Sequence, residues 1–302
     1  MIRIGVDFGG SKIEAAALDA EGRFLARERA PNPRRYEAAL ETVKSMVTRA
    51  EAIAGPCARI GLAMPGSLSP RTGVVRNANS VWLNGRRFAE DLEHTLDRPV
   101  RLSNDANCLA LSEAADGAAA GAGVVFAAIL GTGCGAGVVA DGRLVEGKNG
   151  VAGEWGHMPL PWPAGDEVPG PPCWCGRRGC METYVSGPGL ERDYAQAEGA
   201  HLTVPEIVEA ARAGEPRTAA ALERFLDRLA RGLAVIADVL DPDVIVLGGG
   251  LSNIEALYPG LTRRIAPHVF SDVFETPVRR AVHGDSSGVR GAAWLWPLEA
   301  AP

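Results

Sequence analysis

The sequence predicts an α/β protein made of two related halves, and three observations carry that reading. The same meander of alternating apolar runs and short turns occurs twice, starting at Arg3 and again at Val124. Apolar residues at helical spacing recur in each half. Glycines stand directly after the first strand of each meander, where the chain must turn tightly. The length agrees, since 302 residues amount to about two average domains and can bury a sizeable core.

In chain order, Arg3 to Phe8 reads as a strand, followed by Gly9-Gly10-Ser11-Lys12, a second strand at Ala15 to Leu18, the turn Asp19-Ala20-Glu21-Gly22, and a third strand at Phe24 to Arg27. Tyr36, Leu40, Val43, Val47 and Ala50 then mark a helix, with strands expected at Ile60 to Met64 and Val100 to Leu102 and a helix at Cys108 to Ala115. The second meander runs through Val124 to Leu130, the turn Gly131-Thr132-Gly133-Cys134-Gly135, a run at Ala136 to Ala140, the turn Asp141-Gly142, and Arg143 to Val145. Leu222, Phe225, Leu226, Leu229, Leu233, Ile236 and Leu240 mark a long helix that Asp241-Pro242 stops before a buried strand at Val244 to Leu247. Gly288 to Trp296 reads as a closing helix. The domain boundary falls near Ala118 to Gly121, giving 1–118 and 119–302.

Composition excludes several function classes. Lysine plus arginine number 31 against 37 acidic residues, a net charge of −6 with no basic block, so generic attraction to nucleic acid is not expected. An apolar fraction of 46% with 23% charged residues places the chain among ordinary globular proteins. The uncharged stretch Gly117 to Ala140 holds seven glycines and two short apolar runs, so it reads as strand, loop, strand and no membrane span. Met1-Ile2-Arg3-Ile4-Gly5-Val6-Asp7 lacks the apolar core of an export signal, and a cytoplasmic location is expected.

Glycines after a strand let backbone N–H groups converge on an anion, and three such places occur: Gly9-Gly10, Gly131-Thr132-Gly133 and Gly248-Gly249-Gly250. Each alone is equally a tight turn; together they argue for phosphate. No G-x-x-x-x-G-K-[ST] motif is present, and the residues after Gly131 read as a strand where a dinucleotide site needs a helix. Asp7 precedes the first glycine pair and is placed either to hold Mg²⁺ through water or to cap the turn. Asn104-Asp105-Ala106-Asn107 ends a strand and opens a helix, which suits an N-cap; a carboxylate there equally suits a base that takes a hydroxyl proton during phosphoryl transfer. Cys173, Cys175 and Cys180, with His157 upstream, form a donor set suited to a tetrahedral structural Zn²⁺, and Gly176 and Gly179 let the sulfurs converge. Glu154 and Glu182 flank that loop, within reach of a polyol if the metal fixes it.

At these residues the sequence resembles the ROK family of sugar kinases and sugar-responsive repressors, whose fold is the actin-like, ribonuclease-H-like ATPase fold with two similar halves around a cleft. Asp7-Phe8-Gly9-Gly10-Ser11-Lys12 is similar to the family's first phosphate loop, with serine where threonine is usual. Leu130-Gly131-Thr132-Gly133-Cys134-Gly135-Ala136-Gly137 resembles the second, and Val246-Leu247-Gly248-Gly249-Gly250 the adenosine-side turn. Glu154-Trp155-Gly156-His157 and Cys173 to Glu182 resemble the sugar-and-zinc signature. The resemblance implies ATP and Mg²⁺ as cofactors, with Zn²⁺ structural. It makes Asp105 the base and Asn104, Glu154, His157 and Glu182 sugar-orienting groups, His157 offering one ring nitrogen to zinc and the other to a sugar hydroxyl. Pro65, Gly66 and Asn79 are further sugar-side candidates. It also implies actin-like halves at 1–118 and 119–302, a zinc loop at 153–182, a terminal helix packing back on the N-terminal half, and a homodimer.

Within the family, Asn77-Ala78-Asn79-Ser80-Val81-Trp82-Leu83-Asn84-Gly85 and His283-Gly284-Asp285-Ser286-Ser287-Gly288 look closest to bacterial fructokinases of the manno(fructo)kinase type. The expectation is therefore phosphorylation of the 6-hydroxyl of fructose, with mannose as a second substrate; N-acetylglucosamine kinase or glucokinase activity is the alternative. A sugar-sensing repressor is disfavoured, because its DNA-binding helix-turn-helix would precede the strand that here begins at Ile2.

Overall fold

The computed structural model describes residues 2–296. The chain falls into two compact units, Met1–Gly121 with Gly137–Ala152 and Val282–Pro302, and Ala122–Ala136 with Gly153–Ala281. It passes from one unit to the other after Gly121, Ala136, Ala152 and Ala281, and the expected cut between residues 118 and 119 lies beside the first of these passages only.

The first unit begins with β1 (Arg3–Phe8), β2 (Lys12–Leu18) and β3 (Phe24–Pro31), an antiparallel meander. The third strand is longer than alternation alone indicates, because its charged residues pair along β2: Arg27 and Arg29 both reach the buried Glu14, at 2.6 and 2.5 Å. Then come α1 (Tyr36–Ala54), β4 (Ile60–Met64), the short pair β5 (Ser67–Leu68) and β6 (Val75–Arg76), α2 (Phe88–Leu96), β7 (Val100–Asn104) and α3 (Asp105–Asp116). The sheet order is β3-β2-β1-β4-β7, with β1, β4 and β7 parallel.

Strand geometry decides which residues of β1 do what, since successive side chains point to opposite faces. Ile4, Val6 and Phe8 join Val43, Met46, Val47, Phe88 and Leu92 in one buried core. Each fully buried aliphatic or aromatic side chain there contributes about 1.5–3 kcal/mol. Arg3, Gly5 and Asp7 face the other way, toward the closing helix.

The second unit opens with β8 (Val124–Leu130) and β9 (Cys134–Ala140); β10 (Arg143–Leu144) follows, and β9 passes into the first unit at Gly137. Next are α4 (Gly187–Glu198), α5 (Val204–Arg212), α6 (Pro216–Leu240), β11 (Val244–Gly248), α7 (Leu261–Ile265) and β12 (Val278–Arg280). The second sheet has the order β10-β9-β8-β11-β12, with β8, β11 and β12 parallel. The long helix α6 buries Leu222, Phe225, Leu226, Leu229 and Leu233; Glu215 caps its start by accepting the N–H groups of Arg217 and Thr218, and Asp241 ends it in the left-handed conformation.

The closing helix, α8 (Ser287–Trp294), lies on β1, β4 and α3 of the first unit. Its approach requires glycine on both strands. A Cβ on Gly5 would sit 2.0 Å from the Val289 carbonyl oxygen, and one on its sheet neighbour Gly61 would sit 1.7 Å from that of Ala292. Among the described residues no helix is long and apolar enough to cross a membrane.

Candidate functional site

In the first unit, the carboxyl ends of the parallel strands β1, β4 and β7 carry Asp7 and the Gly9–Gly10 turn, Pro65–Gly66, and Asn104–Asp105. In open parallel sheets ligands bind at those ends. The Gly9–Lys12 turn is tight, because a Cβ on Gly9 would meet the Lys12 carbonyl at 2.8 Å. Asn32, to which no motif points, clamps it: its side-chain amide donates to the Gly9 carbonyl at 2.7 Å and its N–H to that of Ser11 at 2.9 Å. Ser11 and Lys12 are exposed on the turn. Gly66 has φ +78° and packs on the backbone of Arg76 and Ala78, which sets the Asn77–Ser80 loop beside Gly10; Asn79 is exposed on that loop.

Asn104 takes the capping role that the sequence leaves open for this segment. The Asn104 side chain caps α3 by accepting the Asn107 N–H at 2.8 Å. Asp105 is solvent-exposed, and its Oδ1 accepts the Ala106 N–H at 2.8 Å. Its carboxyl is pushed above the ordinary aspartate value by desolvation, with the Ala106 N–H pulling it down. Asp7 is raised to about 6, first by burial and then by the charges of Glu14 and Asp105, with Lys12 and Arg29 opposing. Glu14 is its cross-strand partner, and Gly288 at the start of α8 leaves no room beside it, since a Cβ there would lie 2.6 Å from Asp7 Oδ2. One hard carboxylate oxygen beside glycine backbone suits Mg²⁺ held through water.

In the second unit, the Gly131–Gly135 turn closes on itself through the Gly131 N–H to the Gly133 carbonyl at 3.0 Å, and its Gly131 carbonyl accepts the Gly187 N–H that opens α4 at 2.8 Å. Gly249, with φ +80°, brings the Gly248–Gly250 turn against Leu130; a Cβ on it would lie 2.4 Å from the Leu130 carbonyl oxygen. Two of the three expected phosphate-binding turns are therefore neighbours within this unit, while Gly9–Gly10 belongs to the other.

His157, Cys173, Cys175 and Cys180 place one donor atom each within 4.8 Å of one another. Zinc bonded at about 2.3 Å to sulfur and about 2.0 Å to nitrogen requires tetrahedral edges of roughly 3.8 Å between sulfurs and roughly 3.5 Å between sulfur and nitrogen. Cys175 Sγ and Cys180 Sγ are 3.7 Å apart, and His157 Nδ1 lies 3.6 Å from Cys173 Sγ. The donor set and spacing fit a structural zinc, and none of these cysteines is in a disulfide. Nδ1 is the ring nitrogen on the sulfur side, which leaves Nε2 as the one turned to other partners. Glu154 is exposed just before the turn Trp155–His157. Glu182 is half-buried: its Oε2 accepts the Cys134 N–H at 3.0 Å and its Oε1 accepts the Trp174 indole N–H at 2.6 Å. Trp174 and Glu14 are contributors that the motif spacing does not reveal.

The chain is similar to known proteins over nearly its whole length. The ROK family model matches residues 3–299. An N-acetyl-D-glucosamine kinase of Photobacterium profundum is 42% identical, over 96% of this chain and 98% of its own. One from Yersinia pseudotuberculosis serotype O:1b is 39% identical, over 96% and 97%. Among solved structures, the ROK hexokinase from Thermus thermophilus superposes with a TM-score of 0.87 at 35% identity, covering 98% of this chain and 97% of that one. The ROK glucokinase from Streptomyces griseus, in complex with glucose and AMPPNP, gives 0.76 at 28% identity, covering 97% and 98%.

Proposed function

The chain belongs to the ROK family, and from that premise we propose that this ATP-dependent sugar kinase phosphorylates the 6-hydroxyl of N-acetylglucosamine. The observation that carries the sugar assignment is the likeness over nearly the full length to N-acetyl-D-glucosamine kinases at 39–42% identity. It corrects the fructokinase expectation, which rested on two short loops, Asn77–Gly85 and His283–Gly288.

On this reading Asp105 takes the proton of the sugar's 6-hydroxyl as its oxygen attacks the γ-phosphorus, and ADP leaves with the bridging oxygen. A carboxyl held above the usual aspartate value is the better base for this, since its proton affinity lies nearer the working pH. Asn104, Glu154, His157 and Glu182 orient the sugar, with Pro65, Gly66 and Asn79 beside them, because phosphoryl transfer depends mainly on positioning and charge stabilisation. The backbone N–H groups at Gly9–Lys12, Gly131–Gly135 and Gly248–Gly250 receive the phosphates and the nucleoside. Magnesium, held through water at Asp7, would offset phosphate charge. Zinc on His157, Cys173, Cys175 and Cys180 would fix the loop that carries the sugar-orienting carboxylates.

The test is ADP release with ATP and Mg²⁺ over N-acetylglucosamine, glucose, mannose and fructose. The expected result is a kcat/KM for N-acetylglucosamine at least tenfold above the others. A preference for fructose would restore the first expectation, and no turnover on any of them would overturn the kinase assignment.

A further inference from the structure

The Glu182 carboxylate joins two parts of the second unit. One oxygen receives the Cys134 N–H of the Gly131–Gly135 turn, and the other receives the indole N–H of Trp174, which stands between the metal-candidate residues Cys173 and Cys175. Space enforces the first contact, since a Cβ on Gly133 would lie 2.8 Å from Glu182 Oε2. The second is short and charge-assisted, the stronger class of hydrogen bond. Trp174 is 66% exposed and its ring meets His157 edge-on, with centroids 4.9 Å apart at 83°. Burial therefore does not account for a tryptophan here; the placement of its one donor does.

We propose that Trp174 is a positioning residue for the nucleotide. Its indole N–H fixes the Glu182 carboxylate, which in turn ties down the Cys134 N–H and leaves Thr132 and Gly133 to present the turn to phosphate. The metal loop and the phosphate turn thus share one carboxylate, so the state of one reaches the other across a single side chain. The inference rests on the reading of Gly131–Gly135 as a phosphate turn, and the experiment separates the two.

Trp174→Phe keeps the ring and removes the donor. AMPPNP binding by calorimetry, zinc content, and the KM values for ATP and sugar are measured for the native protein, W174F, W174H and T132V. The expected result is AMPPNP affinity and KM for ATP about tenfold weaker in W174F, from loss of a hydrogen bond to a charged group. Zinc content should stay within twofold of native and the thermal midpoint within a few degrees, the KM for sugar should rise by a smaller factor because Glu182 is also placed beside the sugar, and W174H, which returns a ring N–H, should recover part of the loss. AMPPNP affinity within twofold of native in W174F overturns the inference; if T132V is weakened all the same, the phosphate-turn reading stands without it, and if T132V is also unchanged, both fall. Loss of zinc or of folding together with nucleotide affinity also overturns it, because the indole would then serve the metal loop alone.

Discussion

The turn after β1 and the turn after β8 share a strand–turn–strand frame and differ in where their carboxylates come from. At the first, two acids belong to the frame, Asp7 in β1 and Glu14 opposite it in β2, and a third, Asp105, adds its charge from the start of the helix after β7. Asp7 and Asp105 are held above their ordinary values. At the second, no acid lies in the turn, and Glu182 reaches it from a segment 48 residues further along the chain. On the proposed function, a repeated backbone frame serves proton chemistry in one unit and backbone presentation in the other, through what packs against it.

The sharpest way to break that contrast is to neutralise the acid assigned to chemistry. Asp105→Asn should lower kcat roughly 10²- to 10⁴-fold with sugar and nucleotide affinities nearly unchanged, measured by ADP release and calorimetry. A change of comparable size in binding with kcat intact would place Asp105 among the holding groups instead. Next in size, Cys180→Ser should empty the thiolate site, lowering bound zinc from one per chain to a small fraction and the thermal midpoint by several degrees, as metal analysis and calorimetry would show.

The two frames were legible in the sequence because apolar alternation and glycine turns are local signals, and the candidate metal cluster because cysteine and histidine carry their chemistry in their identity. What the sequence did not reveal is non-local. The length of β3 depends on Arg27 and Arg29 meeting Glu14 across the sheet, and charged residues do not announce an inner pairing. Helices α2, α4 and α5 are short and carry weak local signals: α4 opens on Gly187-Pro188-Gly189, which reads as a turn until Ser186 is seen accepting the Gly189 N–H. The contacts of Glu182 span a distance along the chain that no periodicity reports, and the return of α8 onto β1 is expected from the family resemblance and not from any local pattern.

That return offers a third test. Gly61→Ala must displace the backbone of α8, so it should lower stability by about 1–3 kcal/mol in denaturant unfolding, and activity through misplacement of Asp7; an unchanged midpoint would mean the helix is not seated as described. A fourth concerns charge. The folded-state value of Asp7, about 6 against 3.8 for an unburied aspartate, means that folding favours its protonated form. The stability this group contributes is complete below about pH 3.8 and is lost as the pH rises through about 6. Asp7→Asn should therefore gain stability relative to the native protein between pH 4 and pH 7, read by unfolding in magnesium-free buffer; a difference independent of pH would remove the electrostatic account of the first frame. The smallest effect belongs to the second frame: Ser186→Ala, which removes the α4 cap beside the Gly131 turn, should cost about 1 kcal/mol.

The central claim is that one exposed carboxyl at the start of α3 accepts the proton while the sugar's 6-oxygen takes the γ-phosphoryl group. Its most direct measurement is the identity and yield of the product, by phosphorus and carbon NMR, from ATP, Mg²⁺ and N-acetylglucosamine with native protein and with D105N. The expected result is one sugar 6-phosphate per ADP from the native protein and, from the variant, retained binding of both substrates with at least a hundredfold slower product formation. A phosphate on another hydroxyl, or a variant that forms the 6-phosphate within tenfold of the native rate, would contradict it.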